Sequence, residues 1–276
     1  MHAHDSTDPE PASSHVGAGD APTGRQPALF IGHGSPMNIV ADNGYTRDLE
    51  KLGTALAKPR AVLVVSAHWM TRGFFVGSDA TNVTIHDFYG FPDELYEKRY
   101  PAPGAPDVAQ RVVELTGGVV QAAERGLDHA AWAPLIRVWP DADVPVLELS
   151  LDLAEPAADH YALGRLLAPL RDEGVLLMGS GNVVHDLRAI DWDKDAAPFD
   201  WAVEFDTFVA DAVAERRHQD LVDYLSHPLG RMAAPTPDHY LPLLYILAAQ
   251  SEDESLSTIH AGIQHGSVSM RCLQIG

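Results

Sequence analysis

Apolar positions along the chain follow two alternating rhythms. From Pro27 onward, short unbroken apolar runs alternate with segments in which apolar residues recur every three or four positions. The first kind reads as strands buried on both faces, the second as one face of a helix. Residues 28–31, 61–65, 144–149 and 175–178 are strands by this criterion, and 73–77, 81–85 and 267–274 are further short ones. Helical spacing marks Tyr45, Leu49, Leu52 and Leu56, with Asp42 and Asn43 placed to cap the start. It recurs at Val108, Val112 and Leu115 behind Pro106, at Leu163, Leu166, Leu167 and Leu170, at Trp201, Phe205, Phe208, Val209 and Ala212, and in the apolar stretch 238–249. Strands alternating with helices predict the α/β class: a single three-layer α/β/α domain around a largely parallel or mixed sheet, spanning residues 27–276. Residues 1–26 contain no Ile, Leu, Phe, Tyr or Trp and read as a disordered N-terminal tail.

Charge and cysteine usage narrow the function classes. Nineteen Lys and Arg stand against 39 Asp and Glu, a net charge of −20. So acidic a surface repels phosphate backbones and anionic lipid, which argues against nucleic-acid and membrane partners. The single Cys272 excludes an intramolecular disulfide and any CxxC metal or redox motif. No apolar stretch approaches the ~18 residues of a membrane span, and the N-terminus lacks a signal-peptide pattern, so the expected location is cytoplasmic. The expected assembly is a monomer or small homo-oligomer. GxSxG, GxxxxGK[ST], HExxH and a full dinucleotide fingerprint are all missing, which removes the usual serine-hydrolase, nucleotide and zincin readings.

What remains is the placement of histidines, of which there are 14. His33 follows the strand at 28–31, His68 follows that at 61–65, and His185 follows that at 175–178 after a polar, glycine-containing turn. Ligands of open α/β sheets bind outside the carboxyl ends of the strands, so these three can meet in one crevice. His239 opens the last helix and His129 precedes another apolar segment. Imidazole suits zinc, iron and copper at neutral pH without burying charge. Gly32, Gly34, Gly179 and Gly181 beside these histidines allow close approach or a tight turn. His2, His4 and His15 belong to the tail; His86, His160, His218, His227, His260 and His265 are assigned to the surface or the periphery of the site.

Five segments, in order, carry a resemblance. They are Pro27-Ala28-Leu29-Phe30-Ile31-Gly32-His33-Gly34-Ser35-Pro36-Met37, Val65-Ser66-Ala67-His68-Trp69, Gly126-Leu127-Asp128-His129, Gly179-Ser180-Gly181-Asn182-Val183-Val184-His185 and Thr236-Pro237-Asp238-His239-Tyr240-Leu241-Pro242-Leu243. Together they resemble the bacterial branch of the 4,5-DOPA extradiol dioxygenase family, which belongs to the class III extradiol ring-cleavage dioxygenases and is related to the catalytic subunit of protocatechuate 4,5-dioxygenase. The resemblance implies one divalent metal per chain and cleavage of a catechol ring beside its diol with O2. It implies His33, His68 and His239 as metal ligands and His185 as a fourth ligand or an acid–base group over the substrate. It implies His129 as a pocket acid–base, oriented on this reading by Asp128. Many class III enzymes pair two histidines with a carboxylate on Fe2+, whereas His239 stands at the matching position here; an all-imidazole set also suits Zn2+, which is expected in the isolated protein. Asp238 beside it is expected to cap the helix. A zinc-dependent hydrolase, or a non-catalytic metal-binding or interaction protein on the same scaffold, are the competing readings.

Overall fold

The computed structural model describes residues 24–276. Its strands are β1 (Ala28–Gly32), β2 (Ala61–Thr71), β3 (Phe74–Gly77), β4 (Val120–Ala123), β5 (Val146–Asp152), β6 (Val175–Gly181), β7 (Leu256–His260), β8 (Ile263–Gln264), β9 (Val268–Ser269) and β10 (Cys272–Ile275). Eight of them form one mixed sheet in the order β4-β3-β5-β2-β6-β1-β10-β7, while β8 and β9 pair separately. The centre, β5-β2-β6-β1, is parallel. Antiparallel pairing enters at β3–β5, β1–β10 and β10–β7.

Parallel central strands are covered on both faces, which is why β1 and β6 are buried at every position. Alternate residues then serve opposite layers. Phe30, Leu63, Leu149 and Leu177 pack under the helices Pro106–Leu115, Ala157–Leu167, Asp200–Ala214 and Leu241–Ala248. Leu29, Ile31, Val64 and Met178 pack under Gly44–Ala55 and His129–Val138. Each such side chain is worth ~1.5–3 kcal/mol of apolar burial, so the two sets hold the three layers together. Asn43 starts the helix Gly44–Ala55 in a reciprocal capping box with Thr46.

Several elements depart from the pattern. Residues 81–85 form no strand; they make only the bridges Thr81–Pro103 and Thr84–Leu127. Buried Asn82 replaces the ladder there, its amide donating to the carbonyls of Ala102, Pro103 and Val146. The closing run 267–274 is split into β9 and β10, and 238–249 is helical only over Leu241–Ala248. β2 continues to Thr71, past the polar Ser66 and His68 that end the apolar run, and its register against β5 shifts between Val65 and Met70. The short edge strands β4 and β7 carry exposed polar residues, Gln121, Ser257 and Thr258, and no long apolar run.

The tail boundary also needs correction. Arg25 pairs with Asp172 at 2.6 Å and with Glu254 at 3.2 Å. Gln26 is buried; its N–H donates to Arg171 O at 2.9 Å, and its carbonyl accepts from Arg171 Nε at 2.7 Å. Arg171 is itself fully buried and also reaches Ala249 O, Glu254 and Ile275 O, holding the start of β1 beside the end of β10. Composition misjudged 25 and 26 because polar residues can be held by a buried guanidinium instead of by apolar area. The rest of the expected tail, with His2, His4 and His15, lies outside the described residues. A chain starting at Pro27 should therefore be ~1–3 kcal/mol less stable than one starting at Gly24, since a buried donor on Arg171 loses its acceptor. Paired thermal melts check this, and equal midpoints would refute it.

Candidate metal centre

β2, β6 and β1 are neighbours, so their carboxyl ends lie side by side. His33 is the first residue after β1, and its N–H donates to Gly181 O at 3.1 Å. His68 lies within the extended β2 and not after it, but still near its carboxyl end. His239 enters from the turn before Leu241–Ala248, where its carbonyl accepts from Asn182 N at 2.8 Å. A Cβ at Gly181 would overlap that carbonyl, so only glycine lets the turn come this close to β6. The three imidazole centroids are 5.3 Å (His33–His68), 5.2 Å (His33–His239) and 5.0 Å (His68–His239) apart. One donor atom from each lies within 4.8 Å of the others, a set that could hold a metal ion.

Hydrogen bonds decide which ring nitrogen is available. Ser180 gives its only proton to Ala130 O at 2.6 Å, so at 3.0 Å it accepts from His33 Nδ1–H. Asp238 accepts from His239 Nδ1. It orients that ring and is not the helix cap expected of it; Tyr240 stands at the cap position, with no side-chain hydrogen bond. Asp87 Oδ2 lies 3.2 Å from His68 Nδ1. Each ring thus keeps Nε2 as its free donor atom, and His68 Nε2 is buried with no hydrogen-bond partner. An orphaned buried nitrogen costs ~1–3 kcal/mol, and a cation among three imidazoles would relieve it. The residues fit a divalent metal.

The other two histidines flank this set. His129 begins the helix His129–Val138, with its ring 4.1 Å from that of His68 and 5.5 Å from that of His33. Its Nδ1 is held by Asp87 at 2.9 Å, not by Asp128. Asp128 instead caps the helix through Ala130 N at 3.0 Å and accepts the Ser66 hydroxyl. His185 stacks on His239 at 3.6 Å with 8° between planes, and it groups with Asp238 and His239. Asp87 has no counterpart in the sequence reading, because a lone loop aspartate has no telling spacing. His160, assigned above to the surface or periphery, is fully buried between Tyr245 Oη at 2.9 Å and Asp152 O at 3.0 Å. A cavity of about 370 Å³ lined by Arg188, Tyr224, Arg231 and Pro237 includes none of the five histidines.

Burial dominates the electrostatics. It holds His33 and His239 well below the ordinary imidazole value, aided by the neighbouring histidines, and pushes His185 down to about 4. Burial also lowers His129 against the pull of Asp87. It opposes charge on His68 too, but there the carboxylates of Asp87 and Asp128 prevail and the value rises. Beneath them, burial and then the charge of Asp128 raise Glu148 far above a normal carboxyl. A depressed imidazole is neutral in the fold but protonated in the unfolded chain below 6.5, so stability is complete above that value and is lost as pH falls toward the folded one. The metal-free protein should destabilise from pH 6.5 to about 4, with His185 alone contributing about 3 kcal/mol. His185→Gln should flatten the melting temperature over that window; an unchanged slope would contradict the assignment.

The model of the catalytic LigB subunit of aromatic ring-opening dioxygenase matches residues 27–271. The chain belongs to this family. It is 49% identical over 258 residues to the 4,5-DOPA dioxygenase extradiol of Escherichia coli K12, covering 91% of this chain and 95% of that one. It is 38% identical to the 4,5-DOPA dioxygenase extradiol of Beta vulgaris, covering 87% and 93%. The crystal structure of an uncharacterized Escherichia coli K12 protein superposes with a TM-score of 0.81 at 45% identity, covering 91% of this chain and all of that one. The protein is a metal-dependent extradiol ring-cleaving dioxygenase. Its α/β fold with a mixed sheet is the one expected from the sequence. Among the described residues no helix is long and apolar enough to cross a membrane.

Proposed function

We propose that this dioxygenase opens the ring of a DOPA-like catechol with O2, at a metal held by His33, His68 and His239. The observation that carries the ligand set is the shared arrangement of the three rings: Nδ1 tied to Ser180, Asp87 or Asp238, and Nε2 left over. The named relatives support the substrate class. The bound metal would supply Lewis acidity toward the diol and, as Fe2+, the redox chemistry that O2 requires. Zn2+ suits the same imidazoles but has no redox chemistry, so it is the ion expected in protein isolated without iron.

The chain's own residues then divide the work. His129, neutral at pH 7 because burial lowers its pKa, can take a catechol proton at Nε2 while Asp87 holds Nδ1–H. His185 stacks on the ring of His239 and groups with Asp238 and His239, not with His33 and His68, which supports a role as a second acid–base group. We further propose that residues 25–276 act as one catalytic domain in the cytoplasm, as a monomer or small homo-oligomer, with no nucleic-acid or membrane partner at a net charge of −20.

The test is aerobic oxygen uptake by anaerobically purified protein loaded with Fe2+ or Zn2+, across a catechol panel. Uptake with a new visible absorbance is expected for Fe2+ with DOPA-like catechols and not for Zn2+. Full iron occupancy with no uptake on any catechol would overturn the reading.

A further inference from the structure

We infer that Asp87 is a positioning residue that sets the tautomer of two histidines at once, making His68 a metal donor and His129 a proton acceptor through one shared carboxylate. The inference rests on the roles proposed above for those two residues. Its geometry is independent of them.

Both oxygens of Asp87 are committed. Oδ2 faces His68 Nδ1 at 3.2 Å; Oδ1 accepts from His129 Nδ1 at 2.9 Å and also from the His129 backbone N–H at 2.9 Å. A carboxylate offers no hydrogen, so each Nδ1 that faces it must carry the proton. That leaves both Nε2 atoms as lone-pair donors, and His68 Nε2 is buried without a hydrogen-bond partner. The same carboxylate spans two rings whose centroids are only 4.1 Å apart, fixing the acid–base group beside the metal donor.

The loop that carries Asp87 is pinned for this task. Ile85 N donates to Leu127 O at 2.7 Å and Leu127 N to Val83 O at 2.9 Å. The indole of Trp132, on the helix that His129 begins, donates to Ile85 O at 2.9 Å. Gly126 has φ +82°, and a Cβ there would lie 2.7 Å from Val83 O, so only glycine lets the two segments lie this close. The loop and the start of the His129 helix therefore move as a unit, with Asp87 aimed across to β2.

Asp87→Asn keeps shape but replaces one acceptor oxygen with an NH2 donor. The remaining oxygen should stay on His129, because the backbone N–H it also accepts cannot change its hydrogen. The new NH2 then faces His68 Nδ1 and forces its proton to Nε2, the atom needed for the metal. Zinc affinity, measured by competition with a chromophoric chelator, should fall 10–100-fold in Asp87→Asn. In metal-free protein at pH 8.5, histidine 15N correlation spectra should show Nδ1–H for both His68 and His129 in the wild type, and Nε2–H for His68 alone in the variant. Nε2–H on either ring in the wild type would overturn the inference, whether or not the variant folds. So would wild-type zinc affinity with unchanged tautomers in Asp87→Asn. Neither readout uses a catechol, so failure to cleave DOPA-like substrates would overturn the function proposal and leave this one standing.

Discussion

His33→Ala or His68→Ala should abolish stoichiometric metal binding, and ring cleavage with it. Each residue supplies one of three imidazoles whose donor atoms lie within 4.8 Å of one another. Two remaining rings cannot complete even the three protein ligands usual at catalytic divalent sites. His33 is buried and bonded to Ser180, and His68 is half-buried, so folding of each variant is checked separately from its metal content. Metal analysis after dialysis against a weak chelator is the measurement, with a melting curve as the folding control. Full occupancy in either variant would remove that residue from the ligand set.

His129→Ala should behave in the opposite way, keeping its metal and losing turnover by roughly 10²–10⁴-fold, the range associated with a positioned general acid–base group. Its Nδ1 is committed to Asp87, so what is lost is an acceptor for the catechol proton, and the Ser180, Asp87 and Asp238 contacts of the other rings survive. His185→Ala is the informative partner. It removes the ring stacked on His239 at 3.6 Å, which should reduce turnover while weakening metal binding less than His33→Ala does. Oxygen uptake and metal stoichiometry on both variants decide the roles. Metal loss in His185→Ala as complete as in His33→Ala would make it a fourth ligand, and metal loss in His129→Ala would exchange the two assignments.

The strands that position the site were legible because a parallel strand buried on both faces is largely apolar, as β1 is and as β6 is over residues 175–178. His33 and His185 could be placed by where those runs stop. His68 was harder to place: β2 continues through Ser66 because a buried hydroxyl is acceptable once it has a partner, here Asp128. The partners of the rings were the least legible part. Asp128 was expected to orient His129 and Asp238 to cap a helix, both on the ground of sequence adjacency. The structure gives Asp128 the capping task and Asp238 the orienting one, while the carboxylate that serves His129 comes from Asp87, on a loop far away in the chain. Neighbourhood along the chain says little about which oxygen meets which nitrogen when the contact is made across a sheet end. The family resemblance supplied the five histidines without supplying their partners.

The order of the central strands bears on when the site can exist at all. β1 and β2 leave the ribosome first, but they are not neighbours; β6, more than a hundred residues later, must slide between them before His33 and His68 face each other. His239 follows later still, and β1 gains its second partner only from β10, the last strand of the chain. A half-made chain therefore presents scattered imidazoles and no chelate. On the proposed ligand set, a cation could not template the early fold as it does in small zinc modules, and would bind only once the sheet is complete. Metal supply to the finished fold should then govern which ion is captured, and much less how much protein folds.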